Sequence, residues 1–336
     1  MAGRAGRTFT RAMSTHASPV PGPVRPSPST PTPTSPSPAP TSARSRSAPP
    51  PGVRAVVAVL AAVLAGAVLL TAPVPASAAR PAGGDPAVPT APTAPARFTG
   101  RAFDTCDAPS LAVMKAWRSS PYGAVGIYFG GRGRGCPVQR ELNPAWVASA
   151  HAMGWRLLPL FVGSQAPCVL SPAKRPFAIG SSPWSQGTRE GGEAVRAARA
   201  LGLDASSPLY LDIEAYRSGD ARCAATTLSF VRAWNREVRR LGYVPGFYSS
   251  VDTGVRDIEA QRRAGTEDLP AVMWFARWSG RPGLYSESVL HPEAWMPHGR
   301  IHQYRGNVAE SYGGHRLLID RNAMDAPVAR VTTATG

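Results

Sequence analysis

The sequence predicts an α/β protein built as a single (β/α)8 TIM-type barrel with reduced later helices. Three observations predict it. Eight apolar, strand-like runs lie between residues 98 and 330, separated over most of that span by helical patterns. Four acidic residues (Asp104, Asp212, Glu214 and Asp320) fall at the ends of the first, fourth and eighth of these runs. The fourth run, Pro208 to Tyr216, is apolar until it meets Asp212 and Glu214 two residues apart, which on a strand point to the same side.

Taken in order, Ala102-Phe103-Asp104 is a short strand. Asp107 to Ser110 opens a helix that carries Leu111, Met114 and Trp117 on one face. Residues 124–129 form the second strand, ended by Gly130-Gly131. Asn143-Pro144 starts a helix through Met153, and Gly154 closes it. Residues 155–162 are the third strand. A loop from Gly163 to about Thr188 follows, with four prolines, Phe177 and Trp184; a loop of that length in a compact domain is usually functional or mobile. A helix is expected over 193–201, before the strand that ends in Asp212 and Glu214. Cys223 to Leu241 is a long amphipathic helix with Leu228, Val231, Trp234 and Val238. Strands are predicted at 243–250, 271–278, 301–304 and 317–320, with only a short helix near 258–263 among them.

The chain has 336 residues and five expected segments. Residues 1–52 are rich in Pro, Ser, Thr and Ala, a composition that cannot bury enough apolar surface to order itself. Residues 53–78 read as a signal peptide: Arg54, an uncharged apolar run from Ala55 to Leu70, then the small-residue site Ala76-Ser77-Ala78. The rival reading is an uncleaved membrane anchor, since the run approaches the ~17–20 residues of a span. The long region before it leaves Met13, or a position nearer Arg54, as an alternative start. No Arg-Arg pair precedes the run, which argues against a twin-arginine signal. Residues 79–97 read as a linker, 98–330 as the barrel and 331–336 as a tail.

The net charge is +16, falling to +9 once the seven Arg of residues 1–78 are set aside. That balance suits contact with anionic cell-wall polymers. The Arg are scattered without aromatic interleaving, so no nucleic-acid partner is expected. The four cysteines, Cys106, Cys136, Cys168 and Cys223, suggest two disulfides in an exported chain. Of three possible pairings, Cys106–Cys136 and Cys168–Cys223 are favoured, because each joins loops at neighbouring strand ends. No C-x-x-C spacing occurs and the His are dispersed, so neither metal nor cofactor is expected.

In a parallel barrel the chemistry sits at the C-terminal ends of the strands, where the four acids converge. Tyr128, Tyr248, Trp274, Gln303 and Tyr304 are expected to line the same mouth, where planar rings suit sugar stacking. With these pieces assembled, the chain resembles the glycoside-hydrolase-like barrel domains of secreted actinobacterial proteins, relatives of the family 25 glycoside hydrolases, the barrel lysozymes. The matching pieces are Phe103-Asp104, Tyr210 to Glu214, Gly246 to Ser249, Trp274 to Arg277, His302 to Tyr304 and Ile319 to Asn322. The resemblance implies that Glu214 is the general acid and that Asp212 assists at the anomeric carbon. It implies that Asp104 and Asp320 orient substrate, and that the substrate is the β-1,4 link after N-acetylmuramic acid in peptidoglycan. The chain departs from true lysozymes at Thr105-Cys106-Asp107 and in its long loop.

The expected protein is therefore a secreted, monomeric, lysozyme-like glycosidase, membrane-bound only if the signal segment is retained. Its partner is peptidoglycan or another polysaccharide. Repulsion among the acids is expected to keep Glu214 protonated, ready to protonate the glycosidic oxygen. Two alternatives stand beside it: a non-catalytic cell-wall-binding module on the same barrel, and a hydrolase of a different extracellular glycan.

Overall fold

The computed structural model describes residues 95–332, and the signal-peptide reading lies outside these residues. Eight strands close into a barrel in sequential order. They are β1 (Ala96–Asp104), β2 (Tyr122–Gly130), β3 (Arg156–Phe161), β4 (Pro208–Asp212), β5 (Val244–Ser250), β6 (Val272–Ala276), β7 (Arg300–Tyr312) and β8 (His315–Val328). The helices are α1 (Leu111–Ala116), α2 (Pro144–Ala152), α3 (Pro183–Ala200), α4 (Ala221–Arg240) and α5 (Arg256–Arg263). Among the described residues no α-helix follows β6, and β7 and β8 are joined by a tight turn, so the later helices are reduced as the sequence implies.

The difference lies in the last strand. Strands β1 to β7 run parallel, but β8 is antiparallel to both β7 and β1. Asp320 is therefore not at the end of its strand. It sits six residues in, paired with Asp104, and the reversed direction still brings it to the same mouth. Strand β1 begins two residues inside the expected linker, at Ala96. The first two residues of the expected tail are tied down, Val331 bridging Leu203 and Thr332 N–H donating to the Gly202 carbonyl at 2.9 Å.

Two apolar layers hold the fold. Outside the strands, Phe103 packs against Trp117 and Trp155, with ring centroids 5.1 and 5.7 Å apart. Burying such rings stabilises by roughly 1.5–3 kcal/mol each. Because side chains alternate along a strand, Phe103 outward fixes Asp104 inward. Inside the barrel, Ala102, Leu158, Leu160, Tyr210, Trp274, Ile301 and Met324 fill the lumen. Caps set the helix starts: Asn143 accepts from Trp146 N–H at 2.9 Å and Asp220 from Cys223 N–H at 3.0 Å.

Helix α3 begins ten residues before the predicted start. It carries Gly187, Gly191 and Gly192 on a buried face against α4. A Cβ on Gly187 would lie 2.3 Å from the Phe230 carbonyl oxygen, so the close approach of the two helices requires glycine there. The disulfides are Cys106–Cys136 and Cys168–Cys223, the favoured pairing. The first ties the exit of β1 to the loop after β2; the second ties the loop after β3 to the first turn of α4.

Candidate active site

Asp104, Asp212, Glu214 and Asp320 line one cavity of about 330 Å³ at the barrel mouth. Asp104 closes β1 and Asp212 closes β4, while Glu214 lies just past the strand end. Gln165, fully buried, spans that exit. Its amide nitrogen donates to the Asp212 carbonyl at 2.8 Å, and its side-chain oxygen accepts from the Glu214 N–H at 2.8 Å. One amide side chain thus fixes the backbone on both sides of Ile213.

Asp104 sits in a network of donors. Tyr128 donates to one carboxyl oxygen at 2.8 Å, and Asn322 and Gln303 donate to the other at 2.8 and 3.2 Å. Gln303 also donates to Asp320 at 3.2 Å, and the Asn307 N–H donates to the other Asp320 oxygen at 2.6 Å. The orientation of Gln303 follows from its neighbours. Tyr248 hydroxyl and Trp278 indole both donate to its side-chain oxygen, at 3.0 and 2.9 Å, which turns the amide nitrogen toward the two carboxyls.

Burial governs the proton affinities. Burial first, and Asp320 second, push the Asp104 carboxyl from 3.8 to about 7, against its three hydrogen bonds. Asp212, 3 % exposed, is pushed well above the usual carboxylate range by burial, then by Glu214 and Asp104, with Lys174 opposing. Its Oδ1 is buried without a hydrogen-bond partner, at a cost of about 1–3 kcal/mol. Asp320 is raised chiefly by burial and also by Glu214, while the Asn307 N–H lowers it. Glu214 is the accessible member, its side chain 36 % exposed. It forms an ion pair with Lys174, Nζ to Oε1 3.3 Å.

The expected aromatic lining is only partly met. Tyr128 and Tyr248 line the cavity. Gln303 is buried beneath it, bonded to the acids. Trp274 does not reach the mouth: it is 0 % exposed, packs edge-on against Tyr210 and Tyr248, and donates to Asn322 at 2.8 Å. It forms the floor on which the acids rest. Tyr304 follows Gln303 on the same strand, so the pleat turns it to the outside of the barrel, near His302. Both expectations are corrected by strand geometry.

Four site residues escape the sequence reading: Gln165, Lys174, Trp278 and Asn322. Strand β6 ends at Ala276, which leaves Trp278 on the following loop, 57 % exposed and on the cavity wall. Its ring lies over Gly306, where any Cβ would be 2.0 Å from the indole. Trp278, Tyr248 and Glu214 also border a neighbouring cavity of about 480 Å³. An aromatic just beyond a strand end is the signal that marks Trp278. Lys174 lies in the long loop already singled out. Among the described residues no cluster of His, Cys, Asp or Glu forms a metal-binding group, and no helix is long and apolar enough to cross a membrane.

The architecture is thus a closed barrel with four carboxyls converging at one mouth. The chain belongs to the Rv2525c-like, glycoside hydrolase-like domain family, whose family model matches residues 115–324. No curated protein matches the chain. Among solved structures it is similar to the Tat-secreted protein Rv2525c of Mycobacterium tuberculosis, with 15 % identity over 68 % of this chain and 96 % of that one, TM-score 0.44. It is also similar to the spore cortex lytic enzyme SleM of Clostridium perfringens, with 9 % identity over 67 % of each chain, TM-score 0.46. The modular autolysin LytC of Streptococcus pneumoniae gives 13 % identity over 69 % of this chain and 47 % of that one, TM-score 0.42.

Proposed function

We propose that the protein is a secreted glycosidase that hydrolyses cell-wall glycan, with peptidoglycan as its substrate, by carboxylate acid/base chemistry. The observation that carries this reading is the set of four carboxyls around one cavity, two of them buried deeply enough to resist ionisation. In this reading Glu214, the accessible acid, protonates the glycosidic oxygen and the leaving sugar departs. Positive charge develops at the anomeric carbon. Asp212 faces it, its carboxyl oxygen accepting from the acetamido N–H and so steadying that group while the acetamido oxygen attacks. Asp104 and Asp320, held by Gln303, position sugar hydroxyls or the attacking water. Tyr128, Tyr248 and Trp278 shape the space for the ring.

General acid catalysis supplies ~10²–10⁴-fold in rate, so Glu214→Gln is expected to lose nearly all turnover on purified peptidoglycan while still folding and still sedimenting with it. A Glu214→Gln protein that releases reducing ends as fast as the parent sinks the assignment. The two disulfides support an extracellular location. Recovery of the protein from the cytoplasm alone, with its cysteines reduced, would count against it.

A further inference from the structure

Two side chains on the outer face of β7 hold the long connection between β6 and β7. Arg300 and His302 are two apart on the strand, so both point away from the lumen, into the segment 277–299 that crosses over them. Arg300 is fully buried and holds the far part of the segment. It donates to the carbonyls of Leu284 at 3.1 Å, His291 at 2.5 Å, Pro292 at 3.1 Å and Ala294 at 2.8 Å. A guanidinium in a protein keeps its charge and its donors, so this anchorage is permanent.

His302 holds the near part, which carries Trp278 on the cavity wall. The residue is 4 % exposed and its ring stacks on Phe275, centroids 4.4 Å apart. Nδ1 lies 2.7 Å from the Gly283 carbonyl oxygen, and Nε2 lies 2.9 Å from the Arg277 carbonyl oxygen. Both partners only accept. A neutral imidazole has a single N–H and presents a lone pair at its other nitrogen; the imidazolium donates at both. One of the two carbonyls is therefore held only while the ring carries the extra proton.

The charged groups around the ring come from the connection itself: Glu287 favours the imidazolium and the Arg277 guanidinium opposes it. Strand β6 contributes Phe275, β7 the Tyr304 ring at 6.1 Å, and β8 the apolar Ala323 opposite in the register. Burial lowers the proton affinity of His302 from its usual 6.5, against the pull of the two carbonyls and Glu287. Releasing one carbonyl leaves the ring in its slot on Phe275, so burial opposes the charge in both arrangements. What separates them is the second hydrogen bond, and a bound proton favours the arrangement that has it. Two backbone bonds persist in either: Arg277 N–H to the Gln303 carbonyl at 3.1 Å and Gly280 N–H to the Tyr304 carbonyl at 2.9 Å. The proton thus changes how tightly the segment is held, while its path stays the same.

We propose that His302 is a positioning residue for the cavity wall: as an imidazolium it pins the connection at both Arg277 and Gly283 and seats the Trp278 indole at the mouth, and as a neutral ring it gives up one of the two anchors. Trp278 lies between those anchors, directly after Arg277, and its indole reaches Gln303 at 2.9 Å. The wall is firmest in acid and slackens as pH rises through the titration of this ring. The use of that wall by a sugar rests on the glycosidase reading; the clamp itself is read without substrate.

NMR of the purified parent, titrated from about pH 7.5 to about pH 4.5, follows both halves of the proposal. The ring nitrogens of His302 are expected to pass from one protonated to both. Over the same interval the Gly280 amide and the Trp278 indole hydrogens, corrected for intrinsic exchange and referred to amides of β2, are expected to gain about tenfold in protection, the scale of one hydrogen bond to a charged group. His302→Asn should remove that pH dependence. A ring that keeps a single proton throughout, or protection that does not follow its titration, overturns the proposal, and both are read on the parent alone. So does a His302→Asn protein that keeps the same pH dependence. Peptidoglycan left intact while these signals behave as expected would fall on the glycosidase reading instead.

Discussion

Asp104→Asn isolates the cost of holding a carboxyl at the barrel mouth. In the fold this group is raised from 3.8 to about 7. Below about pH 4 the folded and unfolded chains both keep the proton, and the site carries no penalty. Between about pH 4 and 7 the unfolded chain releases it first, so the folded state loses stability as pH rises. At about 1.36 kcal/mol per pH unit, the full loss is at most roughly 4 kcal/mol. Asn keeps the contacts: its oxygen accepts from Asn322 and Gln303 as the carboxylate does, and its amide can donate to the Tyr128 hydroxyl. The variant is therefore expected to be more stable than the parent at pH 8, by a margin that shrinks toward zero near pH 4. Urea unfolding of both proteins at the two pH values, under non-reducing conditions, reads that margin from the midpoints. An equal margin at both pH values, or a variant less stable than the parent at pH 8, refutes the reasoning.

Other outcomes follow from single contacts. Trp278→Ala, at a 57 % exposed position, should leave the unfolding midpoint nearly unchanged and raise KM for glycan several-fold, read by steady-state kinetics. Gln165→Leu strips partners from the Asp212 carbonyl and the Glu214 N–H; each orphaned buried group costs about 1–3 kcal/mol, and kcat should fall more than KM changes. Removing the Cys168–Cys223 bridge by Cys→Ala at both positions releases a loop closed over a separation of 55 residues, worth about 4 kcal/mol on the chain-entropy account, visible as a lower Tm.

Much of this architecture was legible in the sequence because barrels repeat a simple pattern. Apolar runs such as residues 124–129 and 208–213 could be read as strands covered on both faces, and the acids could be placed at their ends. The reversed direction of β8 was not legible, since an apolar run ending in Asp carries no sign of its polarity. The early start of α3 was hidden by Gly187, Gly191 and Gly192, whose low helix propensity is overridden by close packing on α4. At the site, the four carboxyls were found from position alone. Trp274 and Tyr304 were misplaced because nearness to a strand end says nothing of depth or face: the first lies in the lumen below the acids, the second on the outer side. Gln165 and Trp278 sit on loops and Lys174 on a short 3-10 helix within one, where the path of the chain rather than any period decides which side chains return to the mouth.

Incubating the purified chain with peptidoglycan, and weighing the released fragments by mass spectrometry, tests the central claim most directly. The account predicts muropeptides with new sugar reducing ends from the parent and none from Glu214→Gln. Peptidoglycan recovered intact from the parent, or fragments cut only in the peptide stems, would contradict it.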